Sequence, residues 1–450
     1  MRELLELTAE RAIAYLEGLP ERQVAPSAAA VAGLSVLDEP LPERPSPPED
    51  VIRQLDEVCS PATMAMAGPR FFGFIIGGSL PVALAANWLA GAWDQNSALY
   101  NVTPATAQLE RVALGWLLEL FGLPPTCGGG FVTGATVANF TALAAARHGV
   151  LARAGWDVEA DGLIGAPPVT VVVGEEAHST LFKALGLVGL GRKRVVRVPA
   201  DRQGRLRADA LPRLSGPTIV CAQAGNLHSG AFDPLPAICD WAHAADAWVH
   251  VDGAFGLWAA AVPALAELTV GLAGADSWAT DFHKWLNTPY DSGLAIVRDA
   301  DALRAAMAIT ADYLPTDSLS RNPSDFAPEL SRRARGVEVW AALRGLGREG
   351  VIDLIERTRR YARRFAEGLS AAGYEVLNDV VLNQVVVTFG DAEKTARVVA
   401  AIQADGTCWA GPTVWQGRAA MRISVSSWAT TEEDVERSLA AMVHAATMEE

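Results

Sequence analysis

The sequence predicts an α/β protein with a mostly parallel sheet, a small C-terminal α+β domain and an N-terminal helical arm. In the middle of the chain, short runs rich in Val and Ile alternate with Ala-rich helical segments, which is typical of parallel strands joined by helices. The chain has 450 residues, of which 50% are hydrophobic and 20% are charged, so it can bury a large core. Polar residues follow several of the apolar runs, and ligand sites of such sheets lie at the carboxyl ends of the strands.

Residues 1–65 are predicted to form the N-terminal arm. Charged residues alternate with Leu and Ala at helical spacing from the start of the chain to Pro20, where this helix is expected to end. Residues 38–51, DEPLPERPSPPEDV, are rich in Pro and are predicted to be a connector without regular structure. An arm of this kind is too thin to enclose a core, so we expect it to pack on another surface.

Residues 66–338 are predicted to form the large domain. An apolar helical segment runs up to Trp93, and the glycine-rich segment 128–147 is predicted to be a turn that opens a helix. Short β-branched runs predict strands at 169–174, 218–223, 248–253 and 277–282. Residues 309–330 lack clear periodicity, so we expect a long mobile loop there, followed by a helix that begins near Ser331.

Residues 339–450 are predicted to form the small C-terminal domain. The segment 350–373 is strongly amphipathic, and the β-branched segments NQVVVTFG and AAMRISVSSW predict strands after it.

Charge and cysteine content exclude several classes of function. A net charge of −15 argues against nucleic acid or an anionic membrane surface as a partner. The five cysteines show no paired short spacing, which favours reduced thiols over a disulfide framework or a zinc site, and we expect no metal. The N-terminus lacks the order of a signal peptide, and the apolar stretches are short for a membrane span. We therefore expect a soluble, cytoplasmic protein.

Three polar side chains and one helix start carry the predicted chemistry. His178, Asp252 and Lys284 follow three of the apolar runs, and the turn in 128–147 opens a helix whose free N–H groups suit a phosphate. A lysine amine can hold an aldehyde covalently, and a carboxylate can pair with a pyridinium nitrogen. These are the handles that pyridoxal phosphate requires. Asp252 would keep the ring nitrogen protonated, and His178 would stack on the ring.

Each of these signals has a structural alternative when it stands alone. A His-Lys pair is commonly a solvated surface, the aspartate after a strand can be a cap, and an isolated histidine is most often structural. Their order along the chain, with all of them at predicted strand or helix ends, favours the cofactor site over these alternatives.

The chain resembles the group II amino acid decarboxylases that depend on pyridoxal phosphate, the family of glutamate, histidine and aromatic-L-amino-acid decarboxylases. The resemblance runs from GPRFFGF (68–74) to AAMRISVSSWATTEEDV (419–435). It rests on the motifs EEAHST, GAFDP, HVDGAFG, HKWL and SRRARGVEVWAALRGLGREG. It implies the fold type I of these enzymes, the aspartate aminotransferase fold, and a homodimer whose active sites lie at the subunit interface.

The resemblance also implies roles for individual residues. Lys284 would carry the cofactor, Asp252 would pair with its ring nitrogen, and Ala254 and His178 would lie against the ring. Gly134, Ala135 and Thr136 would hold the phosphate, with His283 nearby. Arg422 matches an arginine near the substrate carboxylate. Phe71 matches a residue that reaches the neighbouring subunit's cofactor.

Three positions depart from the pattern of the family. Asp281 replaces an Asn three residues before the lysine, so a carboxylate would repel the phosphate unless it is protonated or turned away. Asn226, Leu227 and His228 stand where members have hydroxyls that orient cofactor or substrate. The loop that carries a proton-donating tyrosine in aromatic decarboxylases is shorter here, and Tyr313 and His228 are the substitutes we consider.

These observations predict an α-decarboxylase that releases carbon dioxide from an L-amino acid and leaves an amine. An alternative keeps the cofactor and changes the outcome, to oxidative formation of an aldehyde, an aldol-type reaction or transamination. A second alternative is a scaffold that keeps the fold without catalysis. Trp93 and Tyr100 lie in the segment that resembles the substrate pocket of the family, where packing is the competing interpretation.

Overall fold

Eleven strands form two sheets in the computed structural model, which describes residues 1–309 and 321–449. The first seven are β1 (Gly128–Val132), β2 (Thr170–Gly174), β3 (Val195–Val198), β4 (Thr218–Gln223), β5 (Trp248–Asp252), β6 (Ser277–Asp281) and β7 (Gly293–Val297). All of them are short, and β1, β4, β5, β6 and β7 are fully buried. The last four lie in the C-terminal part: β8 (Glu375–Val376), β9 (Gln384–Thr388), β10 (Gly411–Trp415) and β11 (Arg418–Ser424).

Thirteen α-helices accompany the strands in the described part of the chain. They are α1 (Arg2–Gly18), α2 (Ala28–Gly33), α3 (Pro48–Gln54), α4 (Pro81–Trp93), α5 (Pro104–Leu120), α6 (Ala135–Arg153), α7 (Val158–Asp161), α8 (Ser179–Leu187), α9 (Leu235–His243), α10 (Ala300–Met307), α11 (Gly336–Ala371), α12 (Ala392–Asp405) and α13 (Glu432–Met448).

The large sheet has the strand order β1-β7-β6-β5-β4-β2-β3. Strand β7 runs antiparallel to both of its neighbours, and the remaining pairs from β6 to β3 are parallel. Strands β4, β5 and β6 are buried along their whole length, which accounts for the apolar and β-branched residues that dominate their sequences. The predicted α/β fold with a mostly parallel sheet is confirmed.

The glycine-rich segment 128–147 begins with a strand and not with the turn that the sequence predicts. Residues Gly128–Val132 form β1, and α6 begins only at Ala135. A methyl group on Gly129 would approach Leu114 Cδ1 within 2.5 Å, and one on Gly128 would lie 3.0 Å from the Cα atom of Ala300. The glycines therefore let helices pack closely on the edge of the sheet.

The N-terminal segment packs along its own connector. Helix α1 packs against α3. In the turn that follows α3, Asp56 Oδ2 lies 2.6 Å from Arg11 Nη1 of α1. The expectation that residues 38–51 lack regular structure is wrong at their end, because α3 begins at Pro48. Proline is tolerated in the first turn of a helix, where its missing N–H would have no partner.

The small sheet has the order β10-β11-β9-β8, and α12 and α13 pack against it together with the second half of α11. Helix α11 begins at Gly336 rather than near Ser331, and Gly347 interrupts its helical geometry. The predicted domain boundary between residues 338 and 339 lies inside this helix.

Residues 310–320, within the predicted mobile loop, lie outside the described residues. From Arg321 onward the segment is held in place. The Arg321 guanidinium donates to the carbonyl oxygen of Gly129, and its carbon Cζ lies 4.4 Å from the centre of the Phe326 ring.

All five cysteines are free thiols. No helix within residues 1–309 and 321–449 is both long enough and apolar enough to cross a membrane.

Candidate active site

A cavity of about 440 Å³ opens where β4, β5 and β6 end and α6 begins. Its volume lies in the range of small-molecule sites. Ten residues predicted for the site from the sequence line it: Gly134, Ala135, Thr136, His178, Asp252, Ala254, Asp281, His283, Lys284 and Arg422. The fold therefore brings together residues that are separated by up to 288 positions in the chain, from Gly134 to Arg422.

Lys284 lies three residues beyond the end of β6, and its amine is paired. Its Nζ atom is 3.0 Å from Asp281 Oδ2. The lysine side chain keeps 19% of its surface exposed, toward the cavity. A cation in this position is compensated by an adjacent carboxylate while its nitrogen stays accessible.

Asp281 contacts the first turn of α6 with its other oxygen. Oδ1 accepts a hydrogen bond of 2.5 Å from the backbone N–H of Ala135, and His283 Nε2 lies 3.4 Å away. His283 Nδ1 accepts a hydrogen bond from the N–H of Ser292, so its proton resides on Nε2, facing Asp281. The side chain at 281 therefore shares the helix N-terminus that the sequence assigns to a phosphate.

Asp252 is the last residue of β5, and only 6% of it is exposed. Oδ1 accepts a hydrogen bond of 3.2 Å from the N–H of Ala254, and Oδ2 accepts one of 3.2 Å from the amide of Asn139. The two donors fix the orientation of the carboxylate. The small side chain of Ala254 leaves space beside the carboxylate.

His178 is the N-cap residue of α8. Its Nδ1 atom accepts a hydrogen bond of 3.3 Å from the N–H of Thr180 and lies 2.6 Å from Thr180 Oγ1. Burial lowers the pKa of His178, with Asp252 acting in the opposite direction. A neutral, oriented imidazole therefore faces the cavity.

Arg422 reaches the cavity from β11 of the small sheet. Its Nη1 atom donates to the carbonyl oxygen of Leu227 at 3.4 Å, and burial lowers the pKa of the guanidinium to about 10. The group remains charged at neutral pH, and its one backbone contact leaves donors for an anionic partner.

His228 does not line the cavity, although its neighbour Leu227 does. Its Nε2 atom is 2.9 Å from Thr413 Oγ1, its ring stacks on Trp415 at 5.9 Å, and its Nδ1 atom has no partner among the described residues. Burial lowers the pKa of His228 to about 4, so the ring is neutral at pH 7.

Four further predicted residues do not line this cavity. The Asn226 side chain accepts hydrogen bonds from the N–H groups of His228 and Ser229, and so caps its own loop. Phe71 is buried and stacks on Trp409 at 5.0 Å. Trp93 and Tyr100 are partly exposed elsewhere on the chain. Their roles in binding stay predictions, and Tyr313 lies outside the described residues.

Several cavity residues were missed from the sequence. Tyr290 stacks on His283 with 4.2 Å between ring centres, and burial raises the pKa of its phenol to about 12. The others are Phe74, Ile75, Thr133, Thr180, Gln223, Gly225 and Phe255, whereas Leu227, one of the departures from the family pattern noted in the sequence, also lines the cavity. Tyr290 comes shortly after Lys284 and Trp285 in the sequence, and this closeness to the predicted cofactor lysine was the signal that could have indicated it.

The residues present fit pyridoxal phosphate. The cavity presents the accessible amine of Lys284, the buried carboxylate of Asp252 and the start of a helix, and the imidazole of His178 completes the set. Gly134 keeps the helix start open, because a Cβ atom there would come within 3.0 Å of both Asp281 Oδ1 and the His283 ring.

Comparison with known proteins decides the family. The family described as "Pyridoxal-dependent decarboxylase conserved domain" matches residues 32–389. The chain belongs to this family. Its cofactor is pyridoxal phosphate, and it is a carboxy-lyase that acts on an amino acid. The recognition, cofactor and enzyme class predicted from the sequence are confirmed, and the non-catalytic alternative is not supported.

The relatives of this decarboxylase are named for different substrates and products. The chain is 27% identical over 366 residues to the aromatic-L-amino-acid decarboxylase of Bacillus atrophaeus, which covers 78% of this chain and 74% of that protein. It is 32% identical over 381 residues to the L-2,4-diaminobutyrate decarboxylase of Rhizobium meliloti, with 80% and 74% covered. It is 26% identical over 423 residues to the phenylacetaldehyde synthase of Arabidopsis thaliana, with 89% and 85% covered.

A solved structure agrees with the fold. Oryza sativa TDC, crystallised with PLP and tryptamine, superposes with a TM-score of 0.91 at 24% identity and covers 99% of this chain and 97% of its own.

Proposed function

We propose that the cavity is the active site of this decarboxylase, with Lys284 carrying the cofactor and Asp252 pairing with its ring nitrogen. The observation that carries this assignment is the convergence of Lys284, Asp252 and the N-terminus of α6 on one cavity. When bound, the cofactor supplies an electron sink for the bond broken at the α-carbon. The N–H groups at the start of α6, near Ala135, would receive its phosphate.

The remaining wall residues would bind and orient the substrate. Arg422 would pair with the substrate carboxylate, because it is the cation of the wall that no carboxylate in the described residues neutralises. His178 would cover one face of the cofactor as a neutral ring. The fixed tautomer of His178 places its remaining N–H toward the cavity, where it can donate to a substrate oxygen.

We propose an aromatic L-amino acid as the substrate. The cavity wall includes Phe74, Ile75, Leu227 and Tyr290, which offer apolar and aromatic surface. A second ammonium group, as in a diamino acid, would need a free carboxylate, and both wall carboxylates are already hydrogen-bonded.

A second outcome, an aldehyde in place of an amine, is favoured by one comparison and one contact. The chain is similar over most of its length to a phenylacetaldehyde synthase. In addition, His228 is neutral and hydrogen-bonded to Thr413, which makes it a weak donor of the proton that an amine product requires.

The test is a panel of the twenty amino acids with purified protein, scored by carbon dioxide release and by mass spectrometry of the products. We expect release with Phe, Tyr or Trp, and Lys284→Ala as the inactive control. Release only with an acidic or a diamino acid would contradict the aromatic assignment. Aldehyde with hydrogen peroxide, in place of amine, would select the second outcome.

We further propose that the enzyme is a homodimer built on the N-terminal arm and α4. Helix α1 has no buried residue within the single chain. Exposed apolar side chains continue along the adjoining surface at Leu55, Trp88, Leu89 and Trp93. Phe74, on the cavity wall, is 60% exposed, so a second subunit would also close the cavity.

Light scattering combined with gel filtration tests the dimer. We expect a dimer with an interface above roughly 2,000 Å². Leu89→Glu should weaken it, whereas Ile164→Glu, at an isolated exposed position, should not. A fully active monomer on dilution would contradict the proposal. The cytoplasmic location stays a prediction from the sequence.

A further inference from the structure

A line of buried side chains extends from Asp252 into the core, away from the cavity. The amide Nδ2 of Asn139 donates to Asp252 Oδ2 at 3.2 Å, and Asn139 Oδ1 lies 2.8 Å from His250 Nε2. His250 Nδ1 lies 2.9 Å from Ser277 Oγ. The indole N–H of Trp248 donates to that same hydroxyl oxygen at 2.9 Å.

The chemistry of the groups gives this line one direction. An indole N–H can only donate, and a carboxylate can only accept. The Asn139 amide must therefore present its NH₂ to Asp252 and its oxygen to His250. The imidazole then carries its proton on Nε2, and Nδ1 accepts from the Ser277 hydroxyl. Each donor has one acceptor, so every member of the line is satisfied.

Burial makes the arrangement rigid. Asn139, His250 and Ser277 have no exposed surface, and Trp248 is nearly enclosed. Burial lowers the pKa of His250 to about 3, which leaves a neutral ring with a single proton. An apolar residue would fill this space without the cost of burying four polar groups, so packing alone does not account for the line.

The same helix serves both ends of the predicted cofactor site. Ala135 and Asn139 are four residues apart on α6 and lie on one face of it. Ala135 contacts Asp281 at the predicted phosphate end, and Asn139 contacts Asp252 at the opposite end.

We infer that Asn139 and His250 are positioning residues, which hold Asp252 as a charged acceptor in one orientation toward the cofactor's ring nitrogen. This inference rests on the proposed role of Asp252. Without the Asn139 donor the carboxylate loses one of its two hydrogen bonds. Without the His250 donor, no hydrogen bond fixes the orientation of the Asn139 amide. In the flipped orientation the amide oxygen would face Asp252 and would repel its carboxylate.

The direct test reads the protonation of the ring nitrogen and not turnover. Enzyme loaded with cofactor carrying ¹⁵N at the ring nitrogen is followed by NMR between pH 6 and 9. We expect the wild type to stay at least about nine-tenths protonated at pH 9, which puts its midpoint at about pH 10 or above. We expect Asn139→Leu and His250→Phe to bring the midpoint down to about pH 9, where half of the nitrogen is deprotonated, a loss of about tenfold or more in proton affinity. Thr141→Val is the matched control. Thr141 is also buried on α6, and its hydroxyl has no partner among the described residues.

Failure of the inference is distinct from failure of the site assignment. If Asp252→Asn deprotonates the nitrogen while Asn139→Leu and His250→Phe match the wild type, the positioning role is wrong and the role of Asp252 stands. If Asp252→Asn leaves the nitrogen protonated, the role of Asp252 itself is wrong.

A second measurement covers variants that do not fold. In cofactor-free wild-type protein labelled with ¹⁵N at histidine, the His250 ring should show a proton on Nε2 and none on Nδ1 from pH 5 to 9. A proton on Nδ1 would overturn the inferred direction of the line. His250→Gln, which keeps a donor, should restore most of the wild-type midpoint.

Discussion

The carboxylate of Asp281 accepts a hydrogen bond from the backbone N–H of Ala135, with 2.5 Å between Oδ1 and N. Its second oxygen pairs with Lys284 at 3.0 Å. The first turn of α6 is thus approached by a negative side chain at the point where a helix dipole attracts anions. Two groups that would hold the cofactor, the amine and the helix N-terminus, are both linked to Asp281.

Asp281→Asn is expected to tighten cofactor binding. The amide oxygen can still accept from Ala135, but the charge that opposes a phosphate is gone, a change of about 1.4 kcal/mol or roughly tenfold in Kd. Titration of cofactor-free protein with pyridoxal phosphate, followed by absorbance, measures it. Asp240→Asn, on the exposed face of α9, is the control. An unchanged or higher Kd would show that Asp281 does not oppose the phosphate.

Lys284→Ala is expected to abolish turnover together with the absorbance band of covalently bound cofactor. Lys284 is the lysine of the cavity wall, so no described amine can replace it there. Lys183→Ala, on the exposed side of α8, should retain both properties. Substantial activity in Lys284→Ala without added amine would refute the assignment.

Asp252→Asn is expected to keep part of the cofactor and to lower kcat by roughly 100-fold or more. The amide preserves the contact with Ala254 but removes the charge that stabilises a protonated ring nitrogen. Steady-state rates and cofactor content, measured on the same preparation, separate the two effects. A near-normal kcat would count against the pairing.

Strands β4, β5 and β6 could be predicted because both of their faces are buried, so that apolar and β-branched residues dominate them. Asp252 and Asp281 could be predicted as site residues because they end β5 and β6. His250 could have been predicted in the same way, because it lies two residues before Asp252 and so on the same side of β5. The hydrogen bond between His250 and Asn139 could not be predicted, because it joins positions 111 residues apart.

Other features depend on tertiary structure that no local pattern reports. Phe74 and Ile75 adopt left-handed backbone angles, with φ of 53° and 62°, and this local geometry helps to place Phe74 rather than Phe71 on the cavity wall. Arg422 was identified by resemblance alone, since nothing in β11 indicates that the small sheet reaches the cavity.

The stability of the protein is expected to fall as the pH drops from 6.5 toward 3, partly through His250. The folded state binds this proton only below about pH 3, whereas the unfolded chain binds it near 6.5. Unfolding therefore takes up a proton between these values, and the free energy of unfolding decreases by about 1.4 kcal/mol per pH unit.

Urea unfolding of cofactor-free protein at pH 7 and pH 5 measures this contribution. His250→Gln should lose about 2 kcal/mol less than the wild type over that interval, because the unfolded chain no longer gains a proton at position 250. His444→Gln, at an exposed position of α13, should follow the wild type. Equal losses in wild type and His250→Gln would mean that His250 is not buried as a neutral ring.

The last prediction concerns the proton that returns to the α-carbon. The candidates are Tyr313, which the sequence proposes and which lies outside the described residues, Tyr290 on the cavity wall, and His228 next to the wall residue Leu227. Burial raises the pKa of Tyr290 to about 12, so its phenol keeps its proton, whereas His228 is neutral and hydrogen-bonded to Thr413.

We expect Tyr313→Phe to slow amine formation while carbon dioxide is still lost, so that oxygen can intercept the reaction and the products shift from amine toward aldehyde. The ratio of amine to aldehyde, measured by mass spectrometry under air and under nitrogen, reports this shift, and Tyr290→Phe tests the competing phenol. If Tyr313→Phe leaves the ratio unchanged and Tyr290→Phe alters it, the proton comes from the wall of the cavity. If neither changes it, His228→Gln is the variant that decides.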